Sequence, residues 1–462
     1  VYLTDRVIPM LPQRLSNGIC SLNPKVPRLA MSCEMEIDLT GKVVNYDIFE
    51  SVIQSVERMT YTDVNEILEQ NNSEIRNQYA ALVPMFEEMA ALHRLLENMR
   101  TKRGAVTFED REAKVLVDEE GHPLEIVFRK RGVGERLIES FMLAANETVA
   151  KHYHQKKFPF IYRIHEDPKE EKMRRFLDFA SILGLVVKNT KGKVSPKDLQ
   201  AIVQEVAEKP ESMVINTMLL RSMQQAKYSE NNEGHYGLAA EYYTHFTSPI
   251  RRYPDLIVHR LIRSYQLDKT PENKAYWEEN LPDIAIHSSQ MERRAVNAER
   301  EVDALKKAEY MLDHIDEEFD GVISSVAKFG FFVELPNTIE GLIHLTTLKQ
   351  DYFHYFENHL ALVGERTGQT FKIGQKVRIK VAKSDPETRE IDFELVSAEA
   401  IEPIVIKKQG NFRKNKNVTE NKRTEKQEKD RKKYRNKKKT QKQGPFYAKA
   451  LKKSKKKSDR KK

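Results

Sequence analysis

The segment "FDGVISSVAKFGFFVELPNTIEGLIHLTTL", Phe319 to Leu348, alternates apolar and polar residues with glycine at its turns. "FKIGQKVRIKVAKSDPETREIDFEL", Phe371 to Leu395, repeats the pattern around a "SDPETR" hairpin turn. Successive side chains of a strand point to opposite faces, so each run has one face to bury and a partner strand to find. About five short strands in about 80 residues predict a small closed β-barrel of the OB type. On it, Phe319, Phe329, Phe331, Phe332 and His344 fall on or near one sheet face, interleaved with Lys328, Lys376 and Arg378. Aromatic faces beside cations suit single-stranded nucleic acid, because every base has a face to stack. Alternation also requires that either Phe331 or Phe332 be core.

The preceding chain reads as one large mixed α/β body. Val1 to about Leu39 shows short strands and turns. From Tyr61 to Asn98 the pattern is helical, with Leu82, Met85, Phe86, Met89, Leu92 and Leu95 at three- and four-residue steps as the expected core stripe. "RGAVTFEDREAKVLVDEEGHPLEIVFRK" returns to strands, with a turn at Glu120-Gly121. Further helices are expected over 136–154, 170–183 and 255–265, and a long charged one from about Ile286 to Ile315. The predicted division is 1–315 for the body, 316–398 for the barrel and 399–462 for a basic tail.

Charge is split along the chain. From Ile406 to Lys462 there are 26 lysines and arginines against 5 acidic residues, a net +21, which leaves residues 1–405 at −12. So little apolar content cannot offset the entropy of ordering, and the tail is expected to be disordered. Such a tail binds polyanions without reading sequence; a solubility or localisation element is the other reading. Two cysteines, Cys20 and Cys33, form no disulfide framework, which suits a reducing, cytoplasmic setting. There is no apolar run long enough to span a bilayer and no secretory leader pattern. The chain opens on Val1 within a strand-like "VYLTDRVIPML", which predicts a processed or truncated N-terminus.

"HFTSPIRRYPD", His245 to Asp255, places two arginines behind a Ser-Pro turn. Pro249 fixes the turn, and Arg251 and Arg252 then emerge at the start of a helix. Arginine there opposes the helix dipole unless an anion is shared with the free N–H groups. A phosphate satisfies both, and the guanidinium fork matches two of its oxygens. The competing arrangement is an internal ion pair with Asp255 or another carboxylate of the body.

The same stretch resembles the signature of the RNB family of exoribonucleases, the ribonuclease II and ribonuclease R enzymes. "YLTDRVIPMLPQRLSNGICSLNP", "RMTYTDVNEIL", "LIESFMLAAN", "FIYRIHEDP" and "MLLRSMQQAKY" match that family in its order, from Val1 to about Ile315. "GVISSVAKFGFFVEL…IEGLIHLTTL…GQKVRIKV…IDFEL" resembles the S1 RNA-binding domain, and with the lysine-rich tail the architecture is most similar to the ribonuclease R type. The resemblance implies a processive 3′-to-5′ exoribonuclease that takes single-stranded RNA to 5′-nucleoside monophosphates in RNA turnover. It places Arg251 on the phosphate at the scissile bond, with Arg252 as its neighbour. Tyr2 near the 3′ end and Phe108 further up the strand match the clamping aromatics; Tyr61 and Glu139 match contacts to the bound RNA end. On residue type alone, Tyr2 and Phe108 equally fit a core and Glu139 a helix surface.

The implied chemistry is hydrolysis by water on two divalent ions, Mg²⁺ by family expectation, which requires several clustered carboxylates. "DEE" at 118–120 reads as a turn, "HEDPKEE" as another family segment, "ENLPD" as a loop, and His152 and His154 as a solvated loop. No metal ligands are therefore assigned within this chain. The resemblance places an Asp-rich motif and cold-shock domains upstream of Val1, so this polypeptide alone is expected to be inactive or nearly so. Ribosomes and trans-translation components are further partners at family level, and a monomer is expected. The alternative class is a non-catalytic RNA-binding or ribosome-associated protein with an S1 domain.

Overall fold

The protein, as a computed structural model, is described over residues 1–106, 112–129, 131–185, 194–209 and 212–400. After a π-helical turn at Arg14–Ile19, β1 (Pro27–Ile37) and β2 (Val43–Gln54) pair as an antiparallel ribbon. Three helices follow, α1 (Tyr61–Asn65), α2 (Ser73–Gln78) and α3 (Val83–Arg103). The expected helical stretch is thus interrupted, at Asn71 by a left-handed residue (φ 53°) and again before Val83. Its buried face overlaps the expected stripe only in part: Phe86 is core, and Leu82 and Met89 pack against it. Val83, Phe86, Ala90, His93 and Leu96 point inward, while Met85 is exposed. That inward face accommodates a polar residue: His93 Nδ1 lies 2.7 Å from Ser140 Oγ of the next helix.

β3 (Glu112–Val117) and β4 (Pro123–Arg129) form the expected hairpin, closed by the Asp118–His122 turn. α4 (Val133–Gln155) starts on a Glu135 carboxylate that accepts the Gly132 N–H at 3.0 Å. His152 and His154 lie in its last turn, not in a loop; His152 Nδ1 is 3.2 Å from the Tyr46 hydroxyl. β5 (Tyr162–Ile164), α5 (Glu170–Ile182), α6 (Pro196–Val206), α7 (Ser212–Ser222) and β6 (Lys227–Ser229) come next, with β5 and β6 paired. α6 and α7 were not foreseen, although Ser195 and Asp198 form a capping box ahead of the first.

α8 (Tyr253–Leu267) and α9 (Pro271–Leu312) complete the body. α9 has 42 residues and begins well before the expected Ile286, running through Pro282 in the "ENLPD" read as loop. Trp277, Leu281, Ala285, Ser288 and Ser289 are buried on one helical face, and that burial outweighs the N–H that Pro282 lacks. Against this face pack Tyr153 and Phe160 with Ile257, Leu261 and Tyr265 of α8. Each such side chain is worth about 1.5–3 kcal/mol when removed from water.

The barrel is formed by β7 (Glu318–Ala327), β8 (Gly330–Glu334), β9 (Glu340–His344), then β13 (Lys376–Asp385) and β14 (Glu390–Ala398), closed in the order β13-β14-β9-β8-β7. Between β9 and β13, β10 (Phe353–Phe356), β11 (Ala361–Gly364) and β12 (Thr370–Lys372) make a separate three-stranded sheet. "FKI" belongs to that sheet and not to the barrel. Phe331 and Phe371, both 0% exposed, stack at 4.7 Å between centroids. Gly330 is required in place, since a Cβ there would lie 2.3 Å from the Ile343 carbonyl oxygen. The proposed disordered tail, residues 399–462, lies outside the described residues from 401 onward.

Candidate nucleic-acid interface

The stretch carrying the arginine pair is pinned along its length. The Tyr243 carbonyl accepts the Arg163 N–H at 3.0 Å, and Thr244 Oγ1 donates to the Ile161 carbonyl at 2.7 Å. Asn146 Oδ1 accepts the Phe246 N–H at 2.9 Å, while the Phe246 carbonyl lies 2.9 Å from His259 Nε2. Asp255 Oδ1 accepts the Ser248 N–H at 2.7 Å, and the Ser248 carbonyl accepts both Arg251 N–H and Arg252 N–H. These partners come from α4, from β5 and the residue before it, and from α8 directly after the loop, so three elements hold it.

The two arginines do different things. Arg252 Nη2 donates to Asp255 Oδ1 at 2.8 Å, in a pair whose carboxylate is 0% exposed. Arg251 is exposed and makes no side-chain hydrogen bond or ion pair among the described residues. The internal pairing open to either residue on spacing is therefore taken by Arg252 at i,i+3. Arg251 keeps its five donors for an outside anion.

Behind the loop lies a cluster that sequence reasoning missed. Arg163 pairs with Glu292 of α9 at 2.5 Å and lies over the Tyr228 ring at 4.7 Å. The Tyr228 hydroxyl is 2.8 Å from His245 Nδ1. Burial, then the guanidiniums of Arg252 and Arg163, push the His245 pKa down to about 2, so the ring is neutral. Burial likewise brings His235 down to about 3 and raises the Tyr228 phenol. His, Tyr and Arg within family-like blocks were the available signal; their convergence was not readable.

α9 also holds the first residues of the chain. Glu299 accepts the Tyr2 N–H at 2.9 Å, and the Tyr2 side chain is 56% exposed. Glu292 and Glu299 are seven residues apart, about 10 Å along the axis and on one helical face. Gln290, Arg293, Arg294 and Asn297 line an open groove on the same helix. Tyr61 is exposed at the start of α1, and Glu139 on α4 is ion-paired with Arg131. Phe108 lies outside the described residues.

On the barrel, Phe329 is exposed, with His344 stacked near it at 6.3 Å and Phe332 edge-on at 6.2 Å; Lys328 beside them is exposed. Two candidates leave this face. Phe331 points into the core, because the β8 pleat sends it opposite to Phe332. Arg378 lies across from Asp320 and donates to Glu318 at 2.8 Å and Asp320 at 3.2 Å, which cancels its charge. Phe319 is half-buried, edge-on to His314.

The residues do not fit a divalent ion. Among the described residues no group of three or more His, Cys, Asp or Glu comes together to hold one. Carboxylates of the candidate residues and the loop cluster are committed to cations: Asp255 to Arg252, Glu292 to Arg163 and, on α4, Glu139 to Arg131. No helix among the described residues is long and apolar enough to cross a membrane.

Comparison with known proteins gives the family. The RNB domain matches residues 1–268, and the S1 RNA binding domain matches residues 313–395. The chain belongs to the RNB family, with an S1 domain following. Within that family it is similar to ribonuclease R. It is 57% identical to ribonuclease R 1 of Lactococcus lactis over 400 residues, 86% of this chain and 49% of the relative. Ribonuclease R of Thermotoga maritima is 46% identical over 401 residues, 86% of this chain and 56% of the relative. The apo form of Mycoplasma genitalium RNase R superposes with a TM-score of 0.79 at 29% identity, over 86% of this chain and 62% of that one. The chain spans about half the length of the curated relatives it matches.

Proposed function

We propose that this chain is part of a 3′-to-5′ exoribonuclease of the ribonuclease R type, acting on single-stranded RNA to release 5′-nucleoside monophosphates. One observation carries the reading: Arg251 is exposed and uncommitted on a loop pinned from α4, β5 and α8. Arg251 binds the phosphate at the scissile bond and offsets the charge that develops there. Arg252 holds the turn through Asp255. Tyr2 supplies a stacking face for the 3′-terminal bases, with Phe108 in the corresponding role further up. Tyr61 and Glu139 contact the RNA end, Glu139 on release from Arg131.

The S1 barrel presents Lys328, Phe329 and His344 to the incoming strand. Mycoplasma genitalium RNase R has been solved with ribose methylated single-stranded RNA and with double-stranded RNA, which supports RNA as the ligand here. The divalent ions of the reaction, Mg²⁺ by family expectation, require carboxylates from outside the described residues. The 462-residue chain is accordingly proposed to bind RNA and to hydrolyse it slowly or not at all.

Incubating the chain with 5′-labelled single-stranded RNA and Mg²⁺ tests this. Tight binding with little turnover is expected, and any product should be mononucleotide released from the 3′ end. Internal cuts would overturn the exonuclease assignment. Rapid, complete digestion would overturn the assignment of the metal ligands. RNA affinity unchanged in Arg251→Ala would favour a binding module that does not use this loop.

A further inference from the structure

His245 stands six residues before Arg251, at the start of the pinned stretch. Its two ring nitrogens have different surroundings. Nδ1 meets the Tyr228 hydroxyl at 2.8 Å, inside the body. Nε2 has no hydrogen-bond partner among the described residues, and His245 is only half-buried. The ring edges against Tyr228 at 5.6 Å and 70° and against Tyr243 at 5.6 Å and 79°, which fixes its plane. Tyr228 is itself held, by its N–H to Ser289 Oγ at 2.9 Å and by the Arg163 guanidinium over its face.

The hydrogen-bond roles follow. Arg252, Arg163 and Arg251 are near enough to oppose a positive imidazole, so the ring carries one proton. The Tyr228 phenol keeps its own proton, which is placed to be donated to Nδ1 at 2.8 Å. That direction of the bond puts the single imidazole proton on Nε2, the nitrogen without a protein partner among the described residues. A fixed, uncharged N–H donor in a cationic corner suits an anionic oxygen, and no protein acceptor among the described residues uses it.

We propose that His245 is a second phosphate-contacting residue of the Arg251 site, its Nε2–H donating to a non-bridging oxygen of the RNA phosphate that Arg251 binds. This rests on the proposed assignment of the loop to the scissile phosphate and adds a neutral donor, oriented by Tyr228, to the arginine's charge. Such a donor helps fix which phosphate oxygen faces Arg251 without strengthening the field that attracts RNA.

The test measures affinity of the 462-residue chain for a fluorescent single-stranded oligoadenylate in EDTA, for wild type, Arg251→Ala, His245→Phe, His245→Gln and Tyr228→Phe. Removing a hydrogen bond to a charged group predicts about 10-fold weaker binding for His245→Phe, at unchanged slope against salt. His245→Gln, which keeps an amide N–H near the Nε2 position, should recover most of that affinity, and Tyr228→Phe should be less affected than His245→Phe. Weakened binding in Arg251→Ala with wild-type binding in His245→Phe overturns this inference and leaves the proposed function standing. Wild-type binding in both overturns the assignment of the loop itself. Should His245→Phe melt early, the wild-type chain decides by nitrogen-15 NMR. His245 must be the Nε2–H tautomer and its Nε2 resonance must move when the oligoadenylate is added; the other tautomer, or an unmoved resonance, overturns the proposal.

Discussion

Arg252 and Asp255 form a pair in which one carboxylate oxygen receives both the Arg252 Nη2 at 2.8 Å and the Ser248 N–H at 2.7 Å. One buried anion thus closes the Ser-Pro turn and neutralises one of two adjacent arginines. Arg252→Ala should cost about 3–5 kcal/mol, since it strands a carboxylate that is 0% exposed, and Asp255→Ala should cost less, since the partner it strands is 22% exposed. Urea unfolding measures it. Arg251→Ala should lie within about 0.5 kcal/mol of wild type. Equal destabilisation by Arg251→Ala and Arg252→Ala would refute the division of labour.

Arg251 separates charge from geometry. Arg251→Lys keeps the charge and loses the planar fork, so the salt slope of RNA binding should stay unchanged while affinity drops. Arg251→Ala should also reduce the slope of log affinity against log salt by about 0.7 for a single strand. Titrations at several salt concentrations distinguish the variants. A slope in Arg251→Ala identical to wild type would remove the phosphate from this residue.

The barrel offers a neighbouring-residue comparison. Phe331 is 0% exposed and Phe329 is 48% exposed, two positions apart. Phe331→Ala should cost about 3–5 kcal/mol of stability. Phe329→Ala should leave the melting temperature alone and weaken single-stranded RNA binding by about 1–3 kcal/mol. A stable Phe331→Ala variant with normal RNA binding would contradict the core assignment.

Much of the barrel was legible because alternation and turn glycines act locally: three of the five barrel strands fall inside the two stretches marked by pattern, and β7 and β14 overrun them by one and three residues. The β10–β12 sheet escaped because its strands have only 4, 4 and 3 residues, too few for a period to register. Pattern could not choose between Phe331 and Phe332 either; Gly330 packed against Ile343 sets that phase. Within "SPIRRYPD" the spacing allowed either arginine to reach Asp255, and the backbone turn decided for Arg252. The companions of the loop were hidden for a different reason. Arg163 and Glu292 are 129 residues apart, and no local pattern reports such a meeting.

The tail can be tested on sequence alone. Deleting residues 406–462 removes 26 cationic side chains and 5 acidic ones. The deletion should flatten the salt dependence of RNA binding by several units, at about 0.7 for each phosphate the tail no longer neutralises. It should leave the effect of Arg251→Ala unchanged. Complete failure to bind RNA at low salt would assign the interface to the tail instead.

Two half-buried histidines set an acid limit. His235 is brought down to about 3 and His245 to about 2, by burial first in both cases. Unfolded, each titrates near 6.5. Between those values the unfolded chain holds the extra proton, so unfolding free energy falls as pH falls. The contribution of neutral burial is complete above about pH 6.5 and is lost progressively below it, by up to about 1.4 kcal/mol per pH unit for each histidine. Carboxylates lowered by their partners, such as Asp38 with Thr40, act in the same direction but only nearer pH 4. Stability should therefore be flat from about pH 7 to 8 and decline already between about 6.5 and 5, ahead of any carboxylate titration. Replacing His235 with Asn should reduce that slope by about one proton. Urea midpoints unchanged from pH 7 to 5 would show that these rings are charged or exposed in the folded chain.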